Sequence, residues 1–552
     1  MSVRIGNASG FYGDRLSAMR EMLTGGPLDY LTGDYLAELT MLILGRDRMK
    51  DPNRGYARTF LRQLEDTLDL ALENDVKIVT NAGGLNPAGL AAAIRELNPH
   101  VKVAHVEGDD LRQQGFDGAL TANAYLGCWG IVECLNAGAD VVVTGRVTDA
   151  SLVVGPAAAH FGWAPTDFDA LAGATVAGHV IECGTQATGG NFAFFTEIAD
   201  LAHPGFPIAE IGERGESVIT KHDGTGGAVT VDTVKAQLLY EIGGPRYLGP
   251  DVTSRFDTIT LTQRDTDRVA ITGVRGEAPP DTLKVCVNTL DGFRNSMTFV
   301  LCGLDIDDKA ALAKRQLADA VGTDGLEWTL ARTDRPDADT EETASALLHA
   351  TIRTPDPKRA KAFSRAAVEL ALASYPGFTL TSPPGDGTPV GVYQPRYVPR
   401  EAVHHEAVLP DGTRKTVDPP AVTDSPPVLP PVEEGHPEPT TSWTRRVPLG
   451  TIVGARSGDK GGDANLGVWV RDPAAYPWLS AELSVDRLRE LLPEAKDLDI
   501  ERHPLPNLHA LNFVLHGLLG QGVAASTRFD PQAKSLGEWL RSRVVDIPET
   551  LL

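Results

Sequence analysis

The sequence predicts an α/β protein: a large parallel-sheet domain at the N-terminus, an α+β middle region and a small α+β C-terminal domain. Three patterns carry that expectation. Short β-branched runs alternate with amphipathic stretches as far as about residue 245; strands in pairs replace them between about 250 and 381; and a compact strand–helix pattern resumes over about 446–552, after a proline-rich stretch. The 552 residues are several times a typical domain, so about two to four separate cores are expected.

In the first region the strands are Val3 to Gly6, Lys77 to Thr80, Val101 to Val106 and Asp140 to Thr144. Between them lie helical periods at Tyr56 to Asn74, Ala88 to Leu97 and Thr121 to Ala137. Apolar strands separated by helices indicate a parallel sheet covered on both faces, with ligands bound at the carboxyl ends of its strands. The middle region pairs Phe256 to Thr262 with Arg268 to Gly273 and Leu283 to Asn288 with Met297 to Cys302, and adds helices at Asp308 to Ala320 and Pro357 to Tyr375. Residues 382–445, with Ser382-Pro-Pro-Gly-Asp-Gly, Asp418-Pro-Pro, Ser425-Pro-Pro-Val-Leu-Pro-Pro and His436-Pro-Glu-Pro, read as a linker or surface arm. Such an arm is long enough to wrap a neighbour, so a homo-oligomer is expected. The last region offers a strand from Val447, a polar glycine-rich loop, a strand at Leu466 to Val470 and a helix at Val485 to Leu492.

A formal net charge of −23 disfavours nucleic acid and anionic membranes as partners. Five cysteines without C-x-x-C spacing fit free thiols in a reducing cytoplasm and give no zinc framework, so neither metal nor cofactor is expected. No run reaches the length of a membrane span. A small anionic substrate is the expected partner, held by local arginines, lysines and helix N-termini.

Four polar, glycine-rich motifs leave strands: Gly6-Asn-Ala-Ser-Gly-Phe-Tyr-Gly-Asp14, Thr80-Asn-Ala-Gly-Gly84, Val143-Thr-Gly-Arg-Val-Thr-Asp149 and Ala455-Arg-Ser-Gly-Asp-Lys-Gly-Gly-Asp463. Taken together they resemble the acyclic terpene utilisation protein A family over nearly the whole chain. The resemblance implies a large N-terminal domain, a ferredoxin-like C-terminal domain and a cytoplasmic catabolic role in breaking down terpenoid or branched acyl-CoA compounds. It also implies a lyase for a branched 3-hydroxy-3-methylglutaryl-type thioester; it carries no catalytic residues over.

Read from their chemistry, Asp14, Asp149 and Asp463 are candidate proton-handling carboxylates, and Asn7, Ser9, Asn81, Gly83, Gly84, Arg146, Gln186, Asp459 and Lys460 are candidate substrate contacts. Asn86 suits the N-cap of a helix beginning at Pro87, whose free N–H groups favour an anion. Each motif has a plainer reading: Asp14 as a cap, Arg146 to Asp149 as a salt bridge, the loop at 457–465 as a latch between domains. Glu182, Cys183, His222 and Asp223 are further polar residues in such loops, and His404-His405 lacks partners for a metal. Two functions compete: a lyase or hydratase acting on a branched (3-hydroxy)acyl-CoA, and a non-catalytic acyl-CoA binding subunit of a carboxylase-type complex.

Overall fold

A computed structural model describes residues 2–424 and 443–552. The motifs at Ser425 and His436 lie outside the described residues. The chain forms two compact units, one of residues 1–288, 393–523 and 530–552, the other of residues 289–392 and 524–529.

The first unit is built on an eleven-stranded mixed sheet. Its strands include β1 (Ser2–Asn7), β2 (Tyr30–Gly33), β3 (Lys77–Thr80) and β4 (Val103–Glu107). After β5 (Thr121–Ala124), which lies outside this sheet, come β6 (Val141–Thr144), β7 (Pro207–Gly212) and β8 (Ser217–Lys221). The strands β1, β2, β3, β6 and β4 lie side by side in that order and run parallel. Alternation divides their side chains: Leu31, Ile78 and Val143 enter one core with Phe60, Leu64, Leu90 and Ile94, while Val79 and Val142 enter another with Leu171 and Val176. The parallel character expected of this domain is therefore confined to five strands.

Both flanks are antiparallel, and both contain strands expected elsewhere. On one side β7 and β8 follow β1, and then the hairpin Arg268–Thr272 with Thr260–Asp265, which the sequence reading assigned to the middle region. On the other side Glu406–Val408, from the proline-rich stretch, pairs with β4, and Arg414–Thr416 pairs beyond it. Without these additions β4 and β8 would expose unpaired backbone groups. The Tyr56 to Asn74 stretch forms two helices, Arg58–Glu65 and Leu68–Glu73. Thr121 to Ala137 begins as β5, because Thr121–Ala124 pairs with Val285–Asn288, and becomes helical only at Trp129–Asn136.

Residues 443–552 carry an antiparallel sheet in the order Val453–Lys460, Asp463–Val470, Ala510–Leu515, Ile500–Leu505, with its own core of Leu466, Val468, Leu479, Leu488, Phe513 and Leu540. The expected glycine-rich loop here is a tight hairpin: Ser457 pairs with Leu466 and Lys460 with Asp463, and only Gly461 and Gly462 turn, with Gly461 at φ +69°. This sheet seats on the preceding domain. Buried Trp469 stacks on Phe192 at 6.4 Å, Asn465 Oδ1 accepts from the Glu241 N–H at 2.7 Å, and Asn507 Nδ2 donates to the carbonyls of Phe256 and Ile259, both at 2.9 Å.

The long strand Thr282–Cys302 continues without the turn expected between Asn288 and Met297, and in the second unit its residues 293–302 pair with Ser345–Thr354. Leu326–Ala331 pairs with Ser345–Thr354 in turn, and the helices Ile306–Val321 and Pro357–Glu369 share the core of Phe299, Leu317, Leu348 and Phe363.

Candidate functional site

The carboxyl ends of the five parallel strands deliver Asn7, Asp34, Asn81, Asp109 and Arg146. Asn81 links two of these exits, accepting from the Tyr35 N–H at 2.8 Å and donating to Asp34 Oδ1 at 2.6 Å. Asp109 accepts from the Arg146 N–H at 2.9 Å and from Asn123 Nδ2 at 2.7 Å, which fixes the backbone that presents the arginine. The Arg146 side chain donates to Asp149 Oδ1 at 2.7 Å and to the Leu36 carbonyl at 3.2 Å, with its guanidinium 4.2 Å over the Tyr125 ring. Its Nε is buried with no protein partner. Tyr125 donates its hydroxyl to Glu38 at 2.8 Å, and Lys284 lies 3.5 Å from the same carboxylate.

The C-terminal hairpin brings a second set of charges. Lys460 Nζ donates to the Glu241 carbonyl at 3.1 Å, and Lys534 Nζ lies 3.4 Å from Asp459, 3.1 Å from Glu241 Oε1 and in hydrogen-bond contact with the Tyr240 hydroxyl. Arg456 hydrogen-bonds Gln186 and sets its guanidinium 4.3 Å over Tyr240.

Electrostatics couples the two sets into one cluster of charges. Glu38 acts on Arg146, Asp149, Asp459 and Lys460, while Glu241 acts on Asp149, Glu182, Asp459, Lys460 and Lys534. Several of these groups are desolvated by surrounding protein and still reached by water: the Asp149 side chain is 29% exposed, Lys284 33% and Asp459 15%. Burial, and then the Asp149 charge, push Asp34 and Glu182 well above the usual carboxylate range. Burial raises Asp149 too, against the pull of Arg146. Asp459 is pushed up to about 7 by burial and by Glu241. Lys460, though solvent reaches it, is lowered to about 8 by desolvation and by facing Lys284. Glu38 shows the reverse balance, with Lys284 and Arg146 outweighing burial and drawing it down to about 2. The cluster therefore mixes carboxyls raised by burial, one of them poised near neutrality, with ammonium groups crowded against one another.

Of the residues expected from sequence, Asn81, Arg146, Asp149, Gln186, Asp459 and Lys460 belong to this cluster or hydrogen-bond to its members. Arg146 also makes the salt bridge that was its plainer reading. The others are engaged elsewhere. Asn7 Nδ2 caps the carbonyls of Ile181 and Glu182 at 2.6 and 2.9 Å, and the Ser9 hydroxyl donates to the Phe11 carbonyl at 3.0 Å. Asp14 accepts from the N–H groups of Gly10 and Arg15, as a turn cap does. Asp463 is held by His516 Nδ1 at 3.0 Å and the Gly517 N–H at 2.7 Å, because its strand position turns it toward that loop. Gly83 and Gly84 serve packing: a Cβ on Gly83 would stand 2.5 Å from the Thr144 carbonyl, and Gly84 turns at φ +54°. Asn86 caps its helix as expected, accepting from the Gly89 N–H at 3.0 Å. Cys183 is no activated nucleophile, since burial and Glu182 push its thiol well up. Asp34, Glu38, Tyr240, Glu241, Lys284 and Lys534 were missed. Among the described residues, no group of three or more His, Cys, Asp and Glu could hold a metal ion.

Residues 3–409 match the family model described as acyclic terpene utilisation family protein AtuA, and residues 447–546 match the AtuA ferredoxin-like domain. No curated protein matches the chain.

Proposed function

Since the chain belongs to the AtuA family, and so to acyclic terpene utilisation, we propose that this charge cluster acts as a lyase or hydratase on a branched (3-hydroxy)acyl-CoA thioester. The observation that carries this reading is the placing of Lys534 Nζ between two carboxylates, 3.4 Å from Asp459 and 3.1 Å from Glu241, beside Lys460 and in the same charge cluster as Arg146; burial and Glu241 raise Asp459 to about 7. A general base works best with a pKa near the working pH, and cations set where charge develops lower the barrier further.

In the lyase form of the reaction, the Asp459 carboxylate takes the proton of the 3-hydroxyl. The oxygen lone pair becomes the new carbonyl, the C2–C3 bond breaks, and its electron pair passes into the thioester as an enolate. Lys460 and the unpartnered Arg146 Nε supply donors for that oxyanion. The enolate carbon then needs one proton to complete the thioester product. In the hydratase form, the same carboxyl exchanges a proton with water or hydroxyl across the double bond.

The substrate is thus a small anionic thioester, acted on in the cytoplasm by what we take to be a homo-oligomer. No helix among the described residues is long and apolar enough to cross a membrane. Incubation of purified protein with a panel of branched 3-hydroxyacyl-CoA and enoyl-CoA thioesters, followed by mass spectrometry, tests the reading. Cleaved or hydrated product supports it; binding without turnover would make the protein an accessory acyl-CoA subunit of a carboxylase-type complex instead.

A further inference from the structure

Cleavage leaves a proton on Asp459 and an enolate carbon that lacks one. The groups beside Asp459 are arranged to close that gap. An ammonium has three donors, and Lys534 Nζ has three acceptors around it: Glu241 Oε1 at 3.1 Å, Asp459 Oδ1 at 3.4 Å and the Tyr240 hydroxyl oxygen. Because Lys534 donates to the phenol oxygen, the Tyr240 hydrogen is left to donate in turn, and in this state the Glu241 carboxylate is its acceptor, so the hydroxyl turns from Glu241 to the substrate carbon when it acts. The ring itself is clamped. Arg456 lies over one face, and Gly458 packs so close to the ring edge that a Cβ there would come within 2.5 Å of it.

Resting on the lyase reading above, we propose that Tyr240 is the acid that protonates the enolate carbon, and that Lys534 is the bridge returning the proton of Asp459 to it. The O–H bond of Tyr240 breaks as the C–H bond of the product forms. An N–H of Lys534 then reprotonates the phenolate, and the neutral amine takes the proton from Asp459. The hydroxyl proton of the substrate has moved, in effect, to its carbon, and each protein group returns to its starting state. Charge balance favours this order. Burial works against the Lys534 charge, yet Glu241 and Asp459 hold its pKa above the ordinary value, while burial and Glu241 keep the phenol protonated.

The test compares wild-type protein with Tyr240→Phe, Lys534→Met and the double variant, measuring kcat, KM and melting temperature on whichever branched 3-hydroxyacyl-CoA the wild type cleaves. Tyr240→Phe keeps the ring and its clamp and removes only the hydroxyl, so the melting temperature and KM should hold while kcat falls about 10²- to 10⁴-fold. Members of one relay act as a unit, so the double variant should be no slower than the slower single. A Tyr240→Phe protein with wild-type kcat, or single effects that multiply in the double variant, overturns the relay and leaves the lyase reading standing. A wild type that turns over no member of the panel overturns the lyase reading and the relay with it.

Discussion

Replacing Arg146 by alanine should injure the fold as well as the site, and by an amount the structure sets. Arg146 is 2% exposed, and its guanidinium is hydrogen-bonded to Asp149 at 2.7 Å and to the Leu36 carbonyl at 3.2 Å and acts against the upward shift of Asp34. Removing one partner of a buried ion pair leaves the other uncompensated and costs about 3–5 kcal/mol. At roughly 2.1 cal/mol/K per residue, a unit of this size loses about 1 °C per kcal/mol, so the unfolding midpoint should fall by about 3–5 °C. The penalty should also depend on pH. The orphaned carboxyls are costly only when ionised, so the gap between Arg146→Ala and wild type should narrow from pH 8 to pH 5. Scanning calorimetry at both pH values checks this; an unchanged midpoint, or an equal gap at the two, would refute the reasoning. Lys460→Ala is the control, since Lys460 is solvent-exposed with a carbonyl as its hydrogen-bond acceptor. Its midpoint should stay within about 1 °C, while affinity for an acyl-CoA drops about tenfold or more by calorimetric titration.

Activity should peak between about pH 7 and 8, rising as Asp459 ionises and falling as Lys460 loses its proton, and Lys460→Arg should extend the alkaline limb in a pH–rate profile. Asp459 has a folded pKa raised above its unfolded value, so the native state binds the extra proton and stability falls as pH rises from about 4 to about 7. Asp459→Asn should flatten that slope, which is at most about 1.4 kcal/mol per pH unit, in denaturant titrations. Gly467→Ala should loosen the C-terminal domain, because a Cβ there would stand 2.8 Å from the Leu239 carbonyl. Limited proteolysis should cut that variant between the two domains faster than wild type.

Much of the fold was legible because it rests on local patterns. The apolar runs at Lys77–Thr80 and Val141–Thr144 and the cap–proline pair Asn86-Pro87 specify a strand or a helix start within a few residues. The four-residue β2 was missed because Tyr-Leu-Thr-Gly has no run of Val or Ile such as marks Lys77–Thr80 and Val141–Thr144, and with it Asp34 was missed. The edge hairpins depend on which sheet edge lies nearby, which no local pattern encodes. In the site, glycine-rich motifs pointed to Arg146, Asp149, Asp459 and Lys460 because polar residues beside glycines stand out. Glu38, Glu241, Lys284 and Lys534 sit in ordinary helical, strand or turn sequence, and only the seating of the C-terminal sheet on the preceding domain brings them together. A faint signal was present in Tyr240-Glu241-Ile-Gly-Gly244, a polar pair ahead of two glycines.

The central claim is that one site, built from the ends of the parallel strands and the C-terminal hairpin, holds an acyl-CoA thioester with its reacting carbons between Asp459 and Arg146. The most direct measurement is a density map of the full-length protein soaked with a non-cleavable thioether analogue of a branched 3-hydroxyacyl-CoA. The 3-hydroxyl is expected within hydrogen-bond distance of Asp459, with the carbonyl oxygen facing Lys460 or Arg146 Nε. Well-defined ligand density elsewhere on the molecule, with this site empty, would contradict it.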